Sequence, residues 1–227
     1  MGMSSCIVEM QDGPRFEIRA NKGSANNDYG VAYEVFVDSL YDLEGLKGRK
    51  IDVIVDMGVN VGYATLKFLT KFPGSRVIGF EPHPEHAAQA RRNLKIAGES
   101  HRVVLHESAA GAHSRRLRLH DNMSGSHLTN EVNDRTFEVE VIDALELLSN
   151  QKIDVLKIDI EGGEYEILDD PRFAALRIPA IVMEWHRRGK VEEDHAWVSG
   201  KLRSAGYSVR EIFNKPWGGM LWAFLES

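Results

Sequence analysis

Four short stretches hold the residues whose types and spacing could do chemistry. Asp56-Met57-Gly58-Val59-Asn60-Val61-Gly62 follows the apolar run Ile51 to Val55. Glu81 stands 19 residues after Gly62, at the end of the run Arg76 to Phe80. Asp159 and Glu161 lie two apart at the end of Val155 to Ile160, and Glu184 and His186 lie two apart after Ala180 to Met183. A glycine just past a buried strand lets a nucleotide-like ligand approach the backbone closely. A carboxylate at Glu81 can accept hydrogen bonds from two ribose hydroxyls, each contributing about 1.5–3 kcal/mol. His186 is the best single base by residue type, because an unperturbed imidazole titrates near neutrality. Period-2 geometry puts each two-apart pair on one face, if the strands stay extended.

The elements that must position these residues alternate in type. Ile51 to Val55, Arg76 to Phe80, Arg102 to Leu105, Val155 to Ile160 and Ala180 to Met183 read as buried strands. Val61, Thr65, Phe68, Leu69 and Phe72 follow helical spacing up to Pro73-Gly74, and Pro84 opens a second helix that Gly98 ends. A helix over about 192–204 precedes Tyr207 to Ile212, and Pro216-Trp217-Gly218-Gly219 turns the chain into Leu221 to Leu225. Alternation of this kind predicts an α/β fold: a mostly parallel sheet with right-handed crossovers, helices on both faces and an antiparallel last strand. Leu117 and Leu119, then Phe137, Val139 and Val141, alternate with charged residues. They predict a β-ribbon over 112–142, inserted after the third strand, with Ser124-Gly125-Ser126-His127 in its loop. Residues 1–50 are expected to form a strand and helical segment, with a helix over Tyr29 to Leu46, packed on a main domain of residues 51–227.

The loop discriminates between cofactors. A dinucleotide would want Gly-x-Gly-x-x-Gly against its pyrophosphate. Asn60 occupies the middle glycine position, and the last spacing differs. S-adenosylmethionine (SAM) has no phosphate, and its amino and carboxylate groups need the polar partners that Asp56 and Asn60 offer. The chain resembles the FkbM family of methyltransferases. The resemblance runs from about Asp52 to Met183. It rests on residues 56–63, on Gly79-Phe80-Glu81-Pro82-His83-Pro84, on Ala109-Ala110-Gly111 and on Leu156-Lys157-Ile158-Asp159-Ile160-Glu161-Gly162-Gly163-Glu164. It implies a class I methyltransferase, Rossmann-like fold with a seven-stranded sheet, and transfer of a methyl group from SAM to a hydroxyl oxygen. Family members act on sugars, lipid-linked glycans and polyketide-type natural products. By position, Asp56, Gly58 and Asn60 would contact the methionine end, with Val59 and Gly62 completing the loop. Glu81, with Pro82 beside it, would bind ribose, and Ser108 and Ala109 would border adenine. The family usually carries Ala at the position of Val59, whose extra bulk is expected beside the cofactor.

A hydroxyl acceptor must lose its proton, so a base or a metal ion helps. The catalytic candidates are His186, Asp159, Glu161 and Glu184. Asp159 is read as an active-site acid, and Glu161 either as another or as a cap of the following helix. No metal motif is present, so no metal is expected, with magnesium left as a possibility. The Ser124-Gly125-Ser126-His127 loop is either a cover for the acceptor or a solvated tip. His186-Arg187-Arg188 is either an attractor for an anionic acceptor or a plain turn. The rival to an enzyme is an inert SAM-binding module serving a partner protein, separable by methyl turnover.

Hydrophobic residues make up 43% of the 227, enough for a large core. The net charge of −6 excludes a general nucleic-acid footprint. A small-molecule or glycan acceptor is the expected partner, with a homodimer possible. No apolar run is long enough for a stable membrane insertion. The polar start, Met1 to Pro14, lacks a signal peptide's apolar stretch, and the single cysteine allows no internal disulfide. A cytoplasmic setting is expected.

Overall fold

The computed structural model describes residues 4–20, 28–38, 40–121 and 126–226. A hairpin, β1 (Ser4–Glu9) with β2 (Arg15–Ala20), comes first, followed by α1 (Asp28–Phe36). Next come β3 (Val53–Met57), α2 (Tyr63–Lys71), β4 (Arg76–Phe80), α3 (Pro84–Ile96) and β5 (Val103–His106). Four strands follow: β6 (Ala109–Gly111), β7 (Arg115–His120), β8 (His127–Thr129) and β9 (Thr136–Asp143). Then α4 (Ala144–Leu148), β10 (Val155–Ile158), α5 (Glu164–Asp169), α6 (Pro171–Ala175) and β11 (Ala180–His186) return to the main sheet. The last elements are α7 (Val191–Ser204), β12 (Tyr207–Lys215) and β13 (Gly218–Leu225).

The main sheet has seven strands in the order β12-β13-β11-β10-β3-β4-β5. Strands β11, β10, β3, β4 and β5 run parallel, and β13 lies antiparallel to both β11 and β12. Strand β3 is buried along its whole length, Asp56 included, as a strand between two helical layers requires. One core lies beneath α4 to α7 and includes Leu148, Leu156, Ile167, Phe173, Met183 and Leu202. The other lies beneath α1 to α3 and includes Val35, Leu66, Phe68, Leu94, Val155 and Val182. The parallel core of the sheet is what the alternation predicts, and its seven strands with antiparallel β13 are the class I methyltransferase fold that the resemblance implies.

Three local expectations are corrected. The inserted ribbon is a four-stranded sheet in the order β6-β9-β7-β8. Its outer strands are three residues each, too short for a legible alternation. Strand β10 ends at Ile158 rather than Ile160, because Glu161 and Gly162 take positive φ (52° and 100°). The helix expected over Tyr29 to Leu46 stops at Phe36 and resumes only as a single 3-10 turn, Glu44–Leu46, after Leu43 at φ 41°. Ser124 and Gly125 lie outside the described residues.

Within the N-terminal segment, a buried ion pair ties β2 to α1. The guanidinium of Arg19 donates to both carboxylate oxygens of Asp28 at 2.9 Å, and its backbone amide donates to Oδ2 at 3.0 Å. Both side chains are buried. Removing one partner strands the other charge away from water, which costs about 3–5 kcal/mol. Asp28→Ala is therefore expected to destabilise the chain by about that amount in denaturant titration; a change within 0.5 kcal/mol would show that α1 is held by packing alone.

Candidate active site

The carboxyl ends of β3, β4 and β10 converge on one open cleft. Its walls include Gly58, Asn60, Glu81, Pro82, Ala109, Asp159 and Glu161. The loop after β3 is shaped by backbone hydrogen bonds: the amides of Gly58 and Val59 both donate to the carbonyl of Phe80 at 3.0 Å. Gly58 has φ 88°, and a Cβ there would stand 1.8 Å from the carbonyl oxygen of Asp159. Only glycine lets the β3 and β10 ends approach this closely. Asn60 also sits in the left-handed region, at φ 52°, which its short polar side chain tolerates.

Glu81 is 5% exposed. Its Oε2 accepts from the amide of Asn60 at 2.7 Å and its Oε1 from the amide of His83 at 2.8 Å. Burial pushes its pKa up to about 7 against the pull of those two bonds. Phe80, Ala110, Leu119 and Leu128 add an apolar flank to the cleft, and Ser126 adds its polar rim. Leu119 and Leu128 come from the inserted sheet and Ser126 directly precedes β8, so that sheet borders the cleft. Ser108, just before Ala109, is buried, and its hydroxyl has no hydrogen-bond partner among the described residues.

The structure places three expected loop contacts elsewhere. Asp56 is wholly buried beneath the loop; its Oδ2 accepts from Thr65 at 2.6 Å and its Oδ1 faces Lys157 Nζ at 3.1 Å. It therefore supports the loop from below rather than touching the methionine end. Val59 is also buried, and its Cγ2 fills the space above Gly79, where a Cβ would lie 2.6 Å away. Its bulk goes under the loop, not into the cleft. Gly62 makes its close approach to a helix, not a strand: a Cβ there would meet Ala90 Cα of α3 at 3.3 Å.

Lys157 stands in the middle of an apolar strand, 2% exposed. Its ammonium donates to the carbonyl of Gly58 at 2.7 Å, pairs with Asp56, and reaches Asp159 Oδ2 at 3.5 Å. Tyr41, from the segment ahead of β3, places its ring 5.9 Å from that ammonium. Sequence reasoning passed over Lys157, although a lone charge inside a buried strand is itself a signal that a partner is waiting.

Next to Asp159, the ends of β10 and β11 hold a titratable cluster. His186 Nε2 is 3.2 Å from Glu161 and 3.8 Å from Glu184, and Nδ1 is 3.3 Å from Glu164. Glu164 is wholly buried; it also accepts from the amides of His186 (2.6 Å) and Gly162 (2.8 Å). Burial lowers the imidazole pKa, but the hydrogen bond to Glu164 and the charges of Glu161, Glu164 and Asp159 outweigh it and lift the pKa to about 10. The cluster thus favours the protonated imidazole at neutral pH, against the neutral base that its residue type suggested. Burial, with the charges of Asp159 and Glu164, raises Glu161 to about 7 against the pull of His186. Burial and Asp159 push Glu184 well above the ordinary carboxylate range. Asp159, Glu184 and His186 offer ligand atoms within 4.8 Å of one another, a spacing that a divalent cation accepts. Lys157 and protonated His186 already bring two positive charges to that cluster.

The two-apart pairs fare differently. Glu184 and His186 lie on extended β11, whereas the φ reversal at Glu161 breaks the alternation after Ile158. Arg188 of the expected basic run stacks 3.4 Å over the ring of Tyr165.

Residues 56–209 match the family described as the methyltransferase FkbM domain. The chain belongs to the FkbM family. It is a SAM-dependent methyltransferase. Methyltransferase 1 of Beauveria bassiana is 27% identical over 179 residues, which cover 67% of this chain and 71% of that protein. The 31-O-demethyl-FK506 methyltransferase FkbM of Streptomyces tacrolimicus is 26% identical over 212 residues, covering 78% and 80%. Among solved structures, magnesium protoporphyrin IX methyltransferase from Synechocystis PCC 6803, with bound SAM, superposes with a TM-score of 0.56 at 13% identity, covering 91% of this chain and 86% of that one. The precorrin-6y C5,15-methyltransferase of Geobacter metallireducens gives 0.54 at 16% identity, covering 91% and 94%. These two likenesses concern the fold.

In this FkbM methyltransferase, the loop from Gly58 to Gly62 has no room for a larger residue at its first position. Gly58→Ala is expected to lower the melting temperature and to weaken binding of S-adenosylhomocysteine (SAH) at least tenfold by calorimetry, since the left-handed φ alone costs roughly 1–2 kcal/mol. Unchanged affinity would mean that the loop does not shape the cofactor site.

Proposed function

We propose that the chain methylates a hydroxyl oxygen of a carbohydrate or natural product, with Glu161 as the base. The observation that carries this reading is the position of Glu161: it lines the cleft and touches His186, so it joins the cofactor side to the acceptor side. The relative from Streptomyces tacrolimicus is named for methylation at an oxygen, which supports the same chemistry here.

The cleft fits SAM on its own features. Gly58 leaves the backbone open, Asn60 offers a polar side chain at the methionine end, and Glu81 presents a carboxylate to the ribose. Pro82, Phe80 and Ala109 supply apolar surface for the adenine. When bound, SAM supplies an electrophilic methyl group on a sulfonium centre. The protein's part is to align the acceptor oxygen and to take its proton. Glu161, with a pKa near 7, accepts that proton at neutral pH while its ionised fraction is still substantial. Protonated His186 holds the carboxylate in place at 3.2 Å, and buried Glu164 fixes the ring. Lys157 pairs with Asp159 at 3.5 Å and holds it beside the loop. No ion enters these steps, although the cluster has the geometry to accept one.

The test is the pH dependence of methyl transfer. Below pH 7 Glu161 is protonated and cannot accept a proton, so the wild-type kcat rises through about pH 7. Glu161→Gln is expected to lose that rise, to lower kcat by about 10²–10⁴ and to bind SAH as the wild type does. A full rate in the variant, or a pH rise that survives the substitution, would place the base elsewhere.

A further inference from the structure

One titratable side chain that lines the cofactor cleft takes no part in the steps above. His86 stands in the first turn of α3, two residues after Pro84, and borders the cleft together with Glu81 and Pro82. It is only 8% exposed. Its Nδ1 faces Oε1 of Glu81 at 3.9 Å, beyond the reach of a hydrogen bond. Neither ring nitrogen makes a hydrogen bond among the described residues. Buried polar groups are ordinarily paired, so the open side of His86 calls for a partner from within the cleft.

The neighbouring histidine is different. His83 is the N-cap of α3, and both its ring nitrogens are engaged: Nδ1 accepts from the amide of Glu85 at 3.3 Å, and Nε2 faces Asp121 at 3.5 Å. Its ring stacks on that of His86, with centroids 4.3 Å apart and planes 22° apart. His83 thereby fixes the plane in which His86 lies. Burial, with the electrostatic push of His83 and Arg19, holds the His86 imidazole down to about 4, so the ring is neutral at pH 7. A neutral imidazole has one N–H donor and one acceptor nitrogen, and the carboxylate facing Nδ1 favours the tautomer with its proton there.

We propose that His86 is a cofactor-selecting residue: its Nδ1–H donates to one ribose hydroxyl of SAM, the same hydroxyl that donates to Oε1 of Glu81. The proposal rests on the reading that Glu81 receives the ribose. The gap itself supports it. A hydroxyl oxygen at about 2.8 Å from each atom spans 3.9 Å without moving either side chain. Oε1 already accepts from the amide of His83, and a carboxylate oxygen has a second lone pair for the ribose. The two side chains also demand complementary things. An ionised carboxylate only accepts, and the N–H facing it only donates, so the group between them must do both. A hydroxyl does, whereas the methylene of a deoxyribose does neither and leaves both groups unpaired. Sites built to hydrogen-bond a hydroxyl reject the analogue that lacks it for this reason.

The experiment is calorimetric titration of the full chain with SAH and with its 2′-deoxy and 3′-deoxy forms. Wild-type protein is expected to bind at least one deoxy form about tenfold or more weaker than SAH. His86→Leu is expected to weaken SAH by about five- to tenfold and to leave the affinity for that deoxy form within about twofold, because the contact is already missing there. His86→Asn, which can present an N–H close to the position of Nδ1, is expected to hold SAH within about twofold of wild type. If His86→Leu does not fold, His86→Phe, which keeps a ring against His83 without a donor, carries the same expectation. Three results would overturn the role of His86: undiminished SAH affinity in the Leu or Phe variant, an equal loss for all three ligands, or an Asn variant as weak as Leu. Wild-type protein that bound both deoxy forms as tightly as SAH would instead overturn the placement of the ribose on Glu81.

Discussion

A buried ammonium is costly unless its charge is met at close range, and Lys157 meets its requirement from two directions at once. Asp56 stands at 3.1 Å under the cofactor loop, and Asp159 at 3.5 Å on the acceptor side. The carbonyl of Gly58, at 2.7 Å, takes a further hydrogen bond from the same group. The ends of β3 and β10 are thereby joined through one side chain, with Gly58 against Asp159 as the steric counterpart of the same joint. The cofactor loop cannot shift without disturbing Asp159, and Asp159 cannot move without leaving a buried charge exposed to the loop. Tyr41 packs over this joint, so the segment ahead of β3 also becomes part of the site.

Around the joint, charge is deliberately unbalanced. Glu161, Glu184 and Asp159 crowd the ends of β10 and β11, where Lys157 and His186 oppose them. Burial, with this crowding, pushes the carboxyls of Glu161 and Glu184 up, and the hydrogen bond to Glu164 and the surrounding carboxylates hold the imidazole protonated. A carboxylate raised toward neutrality becomes a usable proton acceptor, while the histidine becomes its electrostatic partner.

Much of the fold was legible because its signals are local. Buried β-branched runs separated by helical spacing imply a parallel sheet, and the tight turn at Pro216-Trp217 implies the antiparallel end. Glu81 and Gly58 were legible because strand ends and glycines carry their own geometric meaning. What escaped depends on contacts between distant residues. The roles of Asp56 and Lys157 are set by a partner about a hundred positions away, and the ionisation of His186 by Glu161 and Glu164 together. Strand β6 is only Ala109–Gly111, which pairs with β9 some thirty residues later and has no periodicity of its own. The end of β10 was misplaced because Glu161 adopts a left-handed φ that a glutamate seldom takes.

The most direct measurement is a crystal structure of the chain with SAH. The account places the ribose hydroxyls on Glu81 and the sulfur facing the turn from Asp159 to Glu161, with Lys157 still bonded to the Gly58 carbonyl. SAH bound away from the β3 and β4 ends, or a Lys157 released from Asp56 and Gly58 in the complex, would contradict it.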